Sequence, residues 1–164
     1  MNTSAKIRTI EDADRWRVAQ RKLGPVVFTN GVFDLLHAGH VALLEAARAE
    51  GGEGAALLVG VNSDASVRRL GKGTDRPLVP AVERARVLAG LACVDCVVVF
   101  DEDTPLDLIR RWRPEVLVKG ADYSREQMVG ADEVEGWGGW VVRVPLVPGL
   151  STSDLLRRLR GRAP

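Results

Sequence analysis

Apolar residues along this chain gather into short unbroken runs, separated by segments in which they return every three to four positions. The runs are Pro25–Thr29, Ala55–Val61, Asp95–Phe100, Glu115–Val118 and Trp140–Val144. They are rich in valine and leucine and have the length of buried strands. Between them, Gly39–Glu50 reads as a helix closed by Gly51-Gly52, and Ser63–Leu70 and Val82–Ala92 read as two more. A further helix opens at Thr104-Pro105-Leu106-Asp107, with threonine as cap and proline at the first helical position, and ends at Pro114. Ser151–Arg160 closes the series, with an apolar stripe at Leu155, Leu156 and Leu159. Residues 71–80 are loop by composition. Residues 1–24 form a polar helical lead-in whose apolar points are Ile7, Ile10 and Trp16, and 25–164 form one domain. Continuous apolar strands alternating with helices predict an α/β fold with a doubly wound parallel sheet, Rossmann-like and built as a single domain. Ligands in such sheets bind at the carboxyl ends of strands near a topological switch point. That places the loops after residues 29, 61, 118 and 144 on one rim.

Composition narrows the class without naming a function. The 164 residues are 46% hydrophobic and 27% charged, which fits a globular chain and excludes a disordered or fibrous one. Such a length buries roughly 70% of its unfolded surface, so neither disulfides nor metal are needed for stability. A net charge of +1, from 23 basic and 22 acidic residues, argues against a nucleic-acid or membrane partner. No apolar run approaches a membrane span and no signal peptide opens the chain, so a cytoplasmic location is expected. Cys93 and Cys96 form a lone C-x-x-C without further metal-ligand spacing, and two small core residues are the simpler reading. No metal-binding residue is assigned. Asp101-Glu102-Asp103 precedes a helix, where acidic residues favour the dipole.

The chemistry concentrates in the first loop, Asn30-Gly31-Val32-Phe33-Asp34-Leu35-Leu36-His37-Ala38-Gly39-His40. Both histidines of the chain stand here, three residues apart, where a strand hands over to a helix. A helix start offers unpaired N–H groups and a partial positive charge, which suit phosphate. Two imidazoles add donors that follow charge developing on a phosphoryl group. Gly39 between them lets a base or phosphate approach the backbone. Neither G-x-x-x-x-G-K-[ST] nor G-x-G-x-x-G occurs, so this loop must carry any nucleotide binding. Ser151-Thr152-Ser153-Asp154 is either an ordinary capping box or a second phosphate site.

These residues resemble a known family. The pattern G-x-F-D-x-x-H-x-G-H, filled by Gly31 through His40, and the Ser151-Thr152-Ser153 stretch are similar to the cytidylyltransferase-like nucleotidyltransferases. The stretches around Val26–His40, Val61–Leu70, Arg76-Pro77, Glu83-Arg84, Val94–Pro105 and Leu117–Tyr123 look like the adenylyltransferase domain of ADP-heptose synthesis. Val32 stands where that branch often has cysteine, and Ser153 where the last motif often has threonine. Leu146 stands where glycerol-phosphate cytidylyltransferases carry arginine, which counts against that branch. The chain leaves no room for a sugar kinase, so a stand-alone form with a separate upstream kinase is expected.

The resemblance implies transfer of AMP from ATP to a sugar 1-phosphate by direct in-line attack, with Mg²⁺ bridging the triphosphate. It implies His37, His40 and Lys72 as catalytic residues. Nucleotide binding falls to Asn30, Gly31, Phe33, Gly39, Lys119, Gly120, Asp122, Ser151, Thr152 and Ser153. Asp34 is expected to orient a histidine or bind a sugar hydroxyl, and Arg84 to contact substrate phosphate. A homodimer is expected from relatives. Two alternatives remain at this level: a cytidylyltransferase acting on glycerol 3-phosphate or a similar small phosphate, and a non-catalytic nucleotide-binding module.

Overall fold

The computed structural model describes residues 2–71, 75–145 and 147–161, apart from the side chains of Asp154, Leu159 and Arg160. Lys72 and Leu146 lie outside the described residues. Five strands, β1 (Val26–Gly31), β2 (Ala56–Asn62), β3 (Cys96–Phe100), β4 (Val116–Gly120) and β5 (Trp140–Val144), form one parallel sheet in the order β3-β2-β1-β4-β5. Among the described residues seven α-helices connect and cover them: α1 (Ile10–Gln20), α2 (Ala38–Glu50), α3 (Asp64–Arg69), α4 (Ala81–Ala89), α5 (Leu106–Trp112), α6 (Ala131–Gly136) and α7 (Thr152–Arg160).

Strand residues divide between the faces with period two, as the pleat requires. Val27, Leu57, Val59, Val97 and Val116 pack with Leu44 and Ala47 of α2 and Ala85, Leu88 and Ala89 of α4. Val26, Phe28, Leu58, Val98 and Leu117 face the other way, onto Ala13 of α1, Leu108, Ile109 and Trp112 of α5, and Ala131 and Val134 of α6. Both faces are therefore dry, which is why the strands carry apolar residues throughout rather than at alternate positions. Cys96 belongs to this core and Cys93 to its margin, both as free thiols. Burial pushes the Cys96 thiol up to about 12.

The lead-in joins the sheet. Ile7 makes a parallel bridge to Val97, and the Arg8 N–H donates to the Val97 carbonyl at 2.9 Å. Buried Arg17 of α1 donates to the carbonyls of Trp112 and Arg113 and to Glu115. Glu115 in turn accepts the Val26 N–H at 2.7 Å, so one carboxylate ties α1, β1 and the start of β4.

Three local readings need correction. Strands β1 and β4 run on through Asn30-Gly31 and Lys119-Gly120, because β2 supplies ladder partners to the first pair and β5 to the second. Pro105, not Thr104, caps α5, and no side chain closes that cap. Residues 125–136 hold a 3-10 turn and α6, where no element was expected. Gly130 enters α6 at φ 85°, and a Cβ there would lie 2.5 Å from Ile109 Cδ1. That stretch is shaped by packing against α5, not by its own periodicity. Among the described residues no helix is long and apolar enough to cross a membrane.

Candidate active site

Neighbouring strands β1 and β4 lead to opposite edges of the sheet, to β2 and β3 on one side and β5 on the other. This is the switch point, and their carboxyl ends diverge there to leave a crevice. A cavity of about 510 Å³ opens at that place, bounded by the β1–α2 loop, the end of β4 and the start of α7.

Backbone conformation shapes the β1–α2 loop. Phe33 turns the chain with φ 50°, a left-handed conformation that is costly for an aromatic residue, and its ring meets His40 edge-on at 5.3 Å. Gly31 passes under that ring, where a Cβ would stand 3.1 Å from it. His37 is the N-cap of α2, and the His37 and His40 rings stack with centroids 3.8 Å apart. Gly39 sits between them. A Cβ there would lie 3.0 Å from His37 Nδ1 and 3.3 Å from Leu150 Cβ, tighter than ordinary contact, so glycine eases the close approach of the segment before α7.

The His37 N–H donates to Nδ1 of His40 at 3.4 Å. That bond assigns the tautomer: His40 accepts at Nδ1 and carries its proton on Nε2. Burial, and then the neighbouring His37, hold the His40 imidazole down to about 4, and burial also lowers His37. Both rings are therefore neutral donors near pH 7. Nδ1 of His37 is buried without a hydrogen-bond partner among the described residues.

Across the crevice, Lys119 at the end of β4 donates from Nζ to the Asn30 carbonyl at 3.0 Å and to the Asn30 side chain, and lies 5.4 Å over the Tyr123 ring. Gly120 and Asp122 border the same cavity. Ser151, Thr152 and Ser153 bring the start of α7 to it, and the Thr152 hydroxyl reaches the Leu35 carbonyl at 3.5 Å. A smaller cavity of about 200 Å³ shares Asn30, Gly31, Val32, Lys119 and Tyr123 with the first and extends to Asn62, Asp103 and Thr104.

Thirteen of the fifteen expected site residues therefore border one cavity: Asn30, Gly31, Phe33, Asp34, His37, Gly39, His40, Lys119, Gly120, Asp122, Ser151, Thr152 and Ser153. Lys72 lies outside the described residues. Arg84 is placed elsewhere. Its side chain has no exposure, and it donates to the carbonyls of Val79 and Val32 and pairs with Asp64 at 2.7 Å. Asp34 borders the cavity, but its oxygens take the N–H groups of Leu78 and Val79 and an ion pair with Arg76 rather than a histidine. Arg76 lines the cavity too and had no expected role, although the Arg76-Pro77 pair marked the segment.

Neutral donors and two helix starts converging on a switch-point crevice are suited to a chain of phosphates, and they put this protein among the nucleotide-handling α/β enzymes. More narrowly, the chain belongs to the cytidylyltransferase-like family, whose model matches residues 28–156, and it is a nucleotidyltransferase. It is 57% identical over 150 residues to the bifunctional protein HldE of Acidiphilium cryptum, with 92% of this chain and 29% of that protein covered. It is 53% identical over 159 residues to HldE of Syntrophotalea carbinolica, with 96% and 32% covered. The chain thus spans about a third of the length of these curated relatives. Among solved structures, the lipopolysaccharide core biosynthesis protein of Thermoplasma volcanium shares the fold, with a TM-score of 0.61, 24% identity, and 76% of this chain and 97% of that one covered.

Proposed function

We propose that this chain transfers AMP from ATP to D-glycero-β-D-manno-heptose 1-phosphate, giving ADP-heptose and pyrophosphate. The observation that carries the transfer chemistry is the pair of neutral, stacked imidazoles at the start of α2, with the His40 proton on Nε2. A neutral N–H strengthens its hydrogen bond as negative charge builds on the phosphoryl oxygens. An oxygen of the sugar phosphate attacks the α-phosphorus in line, and the bond to the bridging oxygen of pyrophosphate breaks. No proton need be removed from a phosphate oxygen already ionised, so positioning and charge stabilisation are the protein's contribution. Ser151, Thr152 and the nine-residue helix behind them receive the β- and γ-phosphates. Lys119 through Asp122 border the base and ribose, and Lys72 supplies a further cation. The described residues hold no group of three metal-ligating side chains. Mg²⁺ enters with the triphosphate, as part of the substrate.

The choice of ATP and a heptose rests on the likeness to HldE across nearly the whole chain. The smaller cavity is bordered by the polar residues Asn62, Asp103 and Thr104, which supports a polyol acceptor. Pyrophosphate release, measured with ATP and CTP against heptose 1-phosphate, glycerol 3-phosphate and ethanolamine phosphate, tests the proposal. ATP with heptose 1-phosphate is expected to be fastest. A higher rate for CTP with glycerol 3-phosphate overturns the substrate assignment, and no release with any pair overturns the transfer itself.

A further inference from the structure

Asp34 poses an electrostatic problem. Its carboxylate has no exposure, yet it borders a cavity suited to phosphate. A bare anion there would repel the guest. Instead, Leu78 and Val79 donate their N–H groups to Oδ1 at 2.8 and 2.9 Å, and Arg76 pairs with Oδ2 through Nε. Arg76 is itself only 12% exposed and lines the same cavity as His37, His40 and Ser151. A guanidinium carries five N–H donors in a rigid fork, and pairing through Nε leaves the terminal nitrogens for a second anion.

We propose that Arg76 is a phosphate-binding residue of the nucleotide cavity and that Asp34 is the residue that positions it. This rests on reading the cavity as a phosphate site but not on the identity of the sugar. The buried carboxylate would hold one edge of the fork while the other edge meets the phosphate chain. The segment from Arg76 to Val79 is thereby anchored to the β1–α2 loop, on the same side as the histidines.

Calorimetric titration of inorganic pyrophosphate into the full chain tests this, with Tm measured for each protein. Arg76→Gln is expected to weaken pyrophosphate binding by roughly tenfold to a hundredfold, the loss of a charge-assisted contact. Arg76→Lys recovers only part, because one ammonium cannot both hold Asp34 and reach the phosphate. Asp34→Asn keeps an Oδ1 acceptor for both N–H groups but replaces the charged Oδ2 that faces Arg76 with an NH2 donor. Positioning predicts weaker binding in Asp34→Asn, and no additional loss when Asp34→Asn is added to Arg76→Gln. Simple charge repulsion predicts the opposite, tighter binding once the anion is gone, and that result overturns the role of Asp34. Unchanged affinity in a folded Arg76→Gln protein overturns the proposal as a whole, whatever Asp34→Asn does. Failure of the unaltered chain to bind pyrophosphate overturns the phosphate reading of the cavity, and this inference with it.

Discussion

Arg84→Ala distinguishes a structural guanidinium from a substrate contact. The side chain is fully enclosed, and its donors go to Val79, Val32 and Asp64. It thus joins the start of α3, the segment before α4 and the β1–α2 loop. Truncation leaves two carbonyls without their donor and Asp64 with the Ala81 N–H but without its ion-pair partner, and opens a cavity. Removing one member of a buried ion pair costs about 3–5 kcal/mol. Asp64 is 31% exposed and recovers some hydration, so the lower half of that range is expected. For 164 residues, an unfolding entropy near 2.1 cal/mol/K per residue gives about 0.34 kcal/mol/K. The expected fall in Tm is then about 9–12 °C. Arg84→Lys, which keeps the charge but loses the fork, falls between the two. The assay is thermal and urea unfolding, joined to KM for the sugar phosphate at a temperature where both proteins are folded. Lower stability with KM changed less than about threefold is the expected outcome. A variant with unaltered Tm and a KM raised tenfold or more would show that Arg84 touches substrate, and the burial argument would be wrong.

Three further outcomes are expected. His37→Ala and His40→Ala each lower kcat by about 100- to 1,000-fold with the fold intact, and the double variant falls by less than the product, since both donors serve one charge; a stable and fully active His40→Ala protein refutes the mechanism. The lowered pKa values of His40 and His37 mean that below pH 6.5 the unfolded chain takes up protons that the folded one refuses, so ligand-free stability is complete above that pH and declines as pH falls towards 4. Tm followed from pH 7.5 to 5 checks this, and His40→Gln should flatten the decline. Glu115→Ala removes the acceptor shared by Val26 and the nearly buried Arg17 and should cost about 2–4 kcal/mol by urea unfolding, whereas a cost below about 0.5 kcal/mol would show that the other Arg17 contacts suffice.

What the sequence determined by itself was whatever depends on short stretches. Five apolar runs named five strands because a strand buried on both faces has no polar side to interrupt it. The geometry of the first loop was legible because Gly31 through His40 are contiguous, so the spacing that brings both imidazoles to one helix start is written in the chain. Thr104-Pro105 located a helix to within a residue, since capping is also local. Tertiary structure decided the rest. Arg84 reads as a contact for substrate phosphate until the chain returns Val32 and Asp64 to either side of it, 52 and 20 residues away. Asp34 finds its partners in Arg76 and in N–H groups 44 and 45 residues further on. Helix α6 forms only because Met128, Ala131 and Val134 have α5 and the sheet to pack against. Periodicity and caps report the energy a segment gains from its own neighbours in sequence. The charge of a buried ion is set by desolvation and by partners brought in across the fold, and neither exists until the sheet has closed the distance.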